Sequence, residues 1–167
     1  VEILGADLRR VDDELMRYLT DALYANQVVC IRDQHLSESE YLHFGKQWGA
    51  PIPHVLDHMR MPGFDEMMTV GNTEKRDEDP KIRNGAALWH TDQSYESVPA
   101  SATMLYSLRA PRSGGETQFC NMSAAYKSLD SATQNQVATL QLAHKYGRGF
   151  RDEDEPDVNP IINDDQD

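Results

Sequence analysis

Long apolar runs are missing from this chain. No stretch of its 167 residues approaches the roughly 20 apolar residues that cross a bilayer, which argues against a membrane partner. The first residues also lack the basic, then apolar, then small-residue order of a secretion signal. Cysteine is scarce, with two residues in all, too few for a disulfide-stapled scaffold. Cys30 and Cys120 each sit in an apolar, strand-like run. Both are therefore expected as buried free thiols in the cytoplasm. Positive charge is the other deficit: 16 Lys and Arg face 28 Asp and Glu, for a net charge of −12. An acidic surface repels phosphate backbones, which argues against a nucleic-acid partner.

The acidity is uneven. Residues 151–167 hold eight of the acidic residues against a single base, Arg151. So charged a stretch is expected as an acidic mobile segment or lid. It lacks the ordered spacing of an EF-hand calcium loop. The chain as a whole is 39% hydrophobic, enough for one domain with a core. Residues 1–150 are expected to belong to that single domain, since no repeat, low-complexity tract or earlier boundary interrupts them. A homo-oligomer is compatible with the composition and not specified by it.

Read along the chain, Asp12 or Asp13 can cap a helix that carries Leu15, Leu19, Ala22 and Leu23 on one face. "VVCI" (28–31) reads as a short buried strand. Ser37 with Glu40 forms a capping box for the next helix, to which Leu42, Phe44 and Trp48 contribute apolar contacts and Gly49 a stop. Residues 50–63 contain Pro51, Pro53 and Pro62 and read as an ordered loop. Strands are expected at 66–72, 88–95, 101–108 and 116–121, a mobile loop at 73–85, and a turn at 110–115. Helices follow at 122–130, with Ser123 as cap, and at about 131–142. Helices first, then short strands joined by Gly/Pro turns, favour a sheet or sandwich braced by N-terminal helices.

Within "LWHTDQSY" (88–95), His90 and Asp92 stand two positions apart. In an extended strand such residues share a face, so an imidazole and a carboxylate could aim at one point. Two protein ligands hold a catalytic metal poorly. A second histidine would complete a two-His-one-carboxylate triad, which leaves three octahedral positions open for substrates. Taken alone, an H-x-D pair favours a structural or hydrogen-bonding role.

The surrounding blocks carry more. "NQVVCIRDQHLSESEYLHFGKQWG" (26–49), "LWHTDQSY" and "SATMLYSLRAPRSGGETQFCNMSAAYKSL" (101–129) come in an order that resembles the taurine and 2,4-dichlorophenoxyacetate dioxygenase family of iron(II)- and 2-oxoglutarate-dependent oxygenases. The stretch from Gly114 onward is more like the aryloxyacetate-degrading branch than the taurine branch. The resemblance implies a mainly β fold with flanking helices, a double-stranded β-helix or jelly roll of cupin-like type, incomplete at the C-terminus. It implies that His90 and Asp92 are iron ligands and that the Thr117 hydroxyl binds the distal carboxylate of 2-oxoglutarate, where a charge-assisted hydrogen bond suits a buried anion. It implies that His54 contacts the anionic group of the substrate. Without it, Thr117 reads as a β-branched strand residue, His54 as a loop histidine and Trp89 as core packing. Gly114 and Gly115 make a turn. His35, His43 and His58 read as surface or loop residues without a role.

The chain departs from the family pattern in several places. Ala86 stands where relatives often carry Asn. Asp57 stands where the taurine branch carries Tyr, and an acid there would repel an anion. The second iron histidine and the 2-oxoglutarate-binding arginine of the family lie well beyond its GGET block. His144, Arg148 and Arg151 sit too early and in the wrong context to replace them, so those two groups are expected outside this chain.

The activity so implied uses Fe(II), 2-oxoglutarate and O2. It hydroxylates a small anionic organic substrate (an aryloxyalkanoate, a sulfonate or a sulfate ester) and releases succinate and CO2. The loops at 73–85 and 151–167 are candidate lids. The competing expectations are a cupin-like metal-binding protein with a non-oxygenase activity and a non-catalytic homologue.

Overall fold

A computed structural model describes residues 1–55, 57–71 and 89–141 of the chain. It forms two compact units, Val1–Arg83 with Met104–Leu108 and Asn84–Thr103 with Arg109–Asp167.

The first unit opens with strand β1 (Glu2–Ile3), helix α1 (Asp13–Asn26) and strand β2 (Cys30–Ile31). The Asp12 carboxylate accepts from the Leu15 N–H at 2.8 Å, so the expected cap is realised. The helix ends where Gln27 turns left-handed, φ 59°, and donates its N–H to the Leu23 carbonyl at 2.7 Å. β1 and β2 pair in parallel, Glu2 with Cys30 and Ile3 with Ile31. A parallel pair needs a crossover, which α1 supplies. Strand alternation corrects the expectation for Cys30: Ile3 and Ile31 share the inner face, and Glu2 and Cys30 share the outer one. Cys30 is exposed, and so is Cys120, which lies in no strand.

Helix α2 (Glu38–Gly45) starts at the expected capping box. The Ser37 N–H donates to a Glu40 carboxylate oxygen at 2.8 Å, and the Ser37 hydroxyl accepts from the Glu40 N–H at 3.3 Å. A 3₁₀ turn (Lys46–Trp48) follows and ends at Gly49, φ 134°. Phe44 is 3% exposed and meets Trp48 edge-on, ring centroids 6.3 Å apart. Ile3, Leu8, Leu19 and Phe44 form the buried cluster, with Leu15, Ala22, Val29, Ile31, Leu36 and Met104 packed around it. The 104–108 segment is tied to this core through two tyrosines. Tyr41 donates to the Met104 carbonyl at 2.6 Å and stacks on Tyr106, whose hydroxyl accepts from the Leu36 N–H at 2.9 Å. Burial pushes the Tyr41 phenol up to about 12.

Residues 50–63 are expected as loop; 50–55 carry no helix or strand, but from Asp57 the chain enters a hairpin. A 3₁₀ turn (Asp57–Met59) leads into β3 (Arg60–Met61), antiparallel to β4 (Phe64–Met68), with a bulge between Arg60 and Met61. The connection is Pro62-Gly63, with Gly63 at φ 84°. Pro at the first central position and a positive-φ Gly at the second are the residues a type II turn requires. The strand expected at 66–72 therefore begins and ends earlier.

In the second unit, α3 (Met122–Lys127) is capped by Asn121, whose side chain accepts from the Ala124 N–H at 2.9 Å. The cap lies two residues before the expected Ser123. Helix α4 (Ser131–Val137) is capped by Asp130 and ends earlier than expected. The strands expected at 101–108 and 116–121 do not form among the described residues, because neither segment has a ladder partner there. The two sheets that are described have two strands each, and they do not draw a double-stranded β-helix. The 73–85 loop, Ala86, His144, Arg148 and the 151–167 segment lie outside the described residues. No described helix is long and apolar enough to cross a membrane.

Candidate metal centre

His90 and Asp92 converge, though not by the expected route. Asp92–Tyr95 form turns, and no strand carries the pair. The backbone reverses just after Asp92: Gln93 is left-handed at φ 54°, a conformation that costs a non-glycine residue energy. Its own hydrogen bonds hold it there. The Gln93 carbonyl accepts from the Glu96 N–H at 2.9 Å, and its side-chain oxygen accepts from the Ala100 N–H at 3.0 Å.

The His90 Nε2 stands 3.2 Å from the Asp92 Oδ1, with the two side chains 50% and 49% exposed. Two cis ligands on arms of about 2.1 Å around an octahedral ion stand about 3.0 Å apart. The observed separation corresponds to a ligand–metal–ligand angle of about 100° on the same arms. The donor set, one imidazole and one carboxylate, suits a divalent first-row metal. So the pair fits two adjacent positions on one ion. A half-exposed ion pair contributes little to stability. Among the described residues no third His, Cys, Asp or Glu joins them in a metal-capable group.

A third side chain does reach the pair. The Thr103 hydroxyl donates to the other Asp92 oxygen, Oδ2, at 2.8 Å. Sequence reading missed it because Thr103 lies in "SATMLYSL", where a threonine reads as an ordinary β-branched strand residue. No spacing rule links positions 92 and 103.

Thr117 lies exposed in the second unit, after the expected turn. Gly114 and Gly115 both have positive φ, 77° and 76°. At Gly115 the positive φ favours glycine, and an added Cβ would also sit tightly, 3.2 Å from the Pro111 side chain. Trp89, expected in a core, is 70% exposed. His54 lies in the first unit and is half-buried, its backbone fixed to the hairpin. Its N–H donates to the Asp65 carbonyl at 3.3 Å, and its carbonyl accepts from the Arg60 Nε at 2.8 Å. Arg60 also pairs with Asp57 at 2.8 Å. The acid that would repel an anion near His54 thus has a cation beside it. His35, His43 and His58 are exposed, as expected.

A family model for taurine catabolism dioxygenases, the TauD, TfdA family, matches residues 1–166. The alpha-ketoglutarate-dependent 2,4-dichlorophenoxyacetate dioxygenase of Cupriavidus pinatubonensis is 29% identical over 128 residues, 70% of this chain and 44% of that protein. The (S)-phenoxypropionate/alpha-ketoglutarate-dioxygenase of Sphingobium herbicidovorans is 29% identical over 142 residues, 85% of this chain and 48% of the relative. A protein of the same name from Delftia acidovorans is 26% identical over 153 residues, covering 85% and 50%. The chain spans about half the length of the curated relatives it matches.

Proposed function

Because the chain belongs to the TauD, TfdA family of taurine catabolism dioxygenases, we propose that the protein carrying it is a 2-oxoglutarate-dependent dioxygenase. It hydroxylates a small anionic organic molecule, an aryloxyalkanoate, sulfonate or sulfate ester. One O2 is consumed: one oxygen atom enters a substrate C–H bond, the other enters succinate, and CO2 leaves. The single observation that carries the site is the 3.2 Å approach of the His90 Nε2 to the Asp92 Oδ1. These two atoms would hold ferrous iron in adjacent positions. When bound there, the ion supplies oxygen activation, and the protein supplies position and shielding from water.

The roles of the remaining residues follow the family pattern. The Thr117 hydroxyl donates to the distal carboxylate of 2-oxoglutarate. His54 contacts the anionic group of the substrate, with the charge of Asp57 offset by Arg60. The third iron ligand and the arginine that pairs with 2-oxoglutarate come from outside the described residues. Residues 1–150 belong to one double-stranded β-helix domain, and the protein works in the cytoplasm.

The test is succinate formation from 2-oxoglutarate under O2 with Fe(II), across a panel of aryloxyacids, sulfonates and sulfate esters. At least one class should give succinate in step with hydroxylated product, and His90→Ala or Asp92→Ala should reduce both to background. Full activity in either variant would overturn the ligand assignment. Metal binding without succinate from any acid would move the site to the non-oxygenase chemistry of cupin-like proteins.

A further inference from the structure

The two carboxylate oxygens of Asp92 have different partners. Oδ1 faces the His90 Nε2 at 3.2 Å, and Oδ2 accepts the Thr103 hydroxyl at 2.8 Å. A free carboxylate can take a metal through one oxygen or through both, and rotation about its last bond interchanges the two. A hydroxyl fixed to Oδ2 ties up lone-pair density there and leaves Oδ1 as the better-placed donor. The geometry points to Thr103 as a positioning residue that makes Asp92 a one-oxygen ligand. This rests on the reading of His90 and Asp92 as metal ligands and adds to it how the carboxylate is oriented.

The consequence is chemical. An octahedral ion held by three protein atoms keeps three positions for small molecules. A carboxylate that swung to bind through both oxygens would take one of them. Two devices oppose that swing from different directions. Thr103 holds the side chain at its tip, and the Gln93 turn, closed onto Ala100 and Glu96, holds the backbone at its base. Thr103 touches Asp92 and not the ion, so its effect passes through the ligand.

The test uses the protein expressed from its whole gene, titrated without O2 with Co(II), whose ligand-field absorption reports coordination. Wild type, His90→Ala, Thr103→Val, Thr103→Ala and Thr103→Ser are compared. Loss of an outer hydrogen-bond partner of a ligand typically costs roughly 10–100-fold in metal affinity. Thr103→Val and Thr103→Ala should weaken Co(II) by that factor and change the band pattern, and Thr103→Ser should restore both. Wild-type affinity and spectrum in either hydroxyl-free variant, or a Thr103→Ser that behaves like Thr103→Val, would overturn the inference. A different result sinks the reading beneath it: no Co(II) bound by wild type, or His90→Ala binding as tightly as wild type.

Discussion

In the unit built from Val1–Arg83 and Met104–Leu108, Ile3, Leu8, Leu19, Phe44 and Met67 are buried. Among the described residues of Asn84–Thr103 and Arg109–Asp167, none is. There Val98, Phe119, Met122 and Leu140 are each more than 60% exposed. What orders these residues is local hydrogen bonding. Asn121 and Asp130 cap α3 and α4, the Gln134 amide donates to the Tyr126 and Leu129 carbonyls at 3.0 and 3.1 Å, and Gln93 and Thr103 brace Asp92. The first unit is held by packing. Among the described residues of the second, which include His90, Asp92 and Thr117, the ordering contacts are polar ones between residues three to eleven positions apart. Substitutions should therefore cost stability in one and chemistry in the other.

The strongest way to break this contrast is at the metal pair. His90→Ala and Asp92→Ala should lower succinate formation beyond the roughly 10–100-fold that loss of an outer partner costs. The same variants should change unfolding free energy by no more than about 0.5 kcal/mol, the usual range for surface sites. A large loss of stability in either would mean that the pair is structural. Next comes Leu19, 1% exposed at the centre of the packed cluster. Leu19→Ala should destabilise by about 2–5 kcal/mol, read from the urea midpoint. A change near zero would remove the claim that this cluster is a core. Smaller again is Asp12→Ala, which removes one cap from α1 and should cost about 1 kcal/mol.

What the sequence disclosed divides along the same line. Short-range rules located the caps at Asp12 and Ser37 and the glycine pair at 114–115, because each is a property of a few neighbouring residues. The same kind of rule would have found the Pro62-Gly63 hairpin, had the prolines been read as a turn rather than as a loop. The apolar spacing of α1 picked out Leu19. Strands were harder, since a strand exists only through its neighbour. β1 was not foreseen, and the apolar runs at 101–108 and 116–121 form no ladder among the described residues. His90 and Asp92 were legible as a pair from their types and spacing, although no paired strand carries them. Neither the left-handed φ of Gln93, which turns the chain after the pair, nor the Thr103 contact across eleven positions leaves a mark in the sequence.

The mildest probe compares two caps, one from each unit. Hydrogen bonds from the Ser37 N–H and then its hydroxyl hold the Glu40 carboxyl below its ordinary 4.5. Bonds from the Thr133 N–H and hydroxyl, at 2.9 and 2.8 Å, hold Asp130 below 3.8. Both folded-state values are depressed. The stabilisation from each is therefore complete above the unfolded value and is lost as pH falls through the folded one. α2 should begin to lose its contribution as pH drops below about 4.5 and α4 below about 3.8, with unfolded values taken as the reference ones. The outcomes should differ in kind. α2 also places Phe44 in the core, so its amide protons should stay protected after Glu40 is neutralised. α4 has no buried residue, and its amides should exchange freely once Asp130 is protonated. Residue-resolved hydrogen exchange between pH 5 and pH 3 reads both helices in one experiment. Asp130→Asn, which keeps an acceptor oxygen at the cap but no charge, should flatten the pH response of α4 without unfolding it. If α2 opens while α4 stays protected, packing is not what separates the two units.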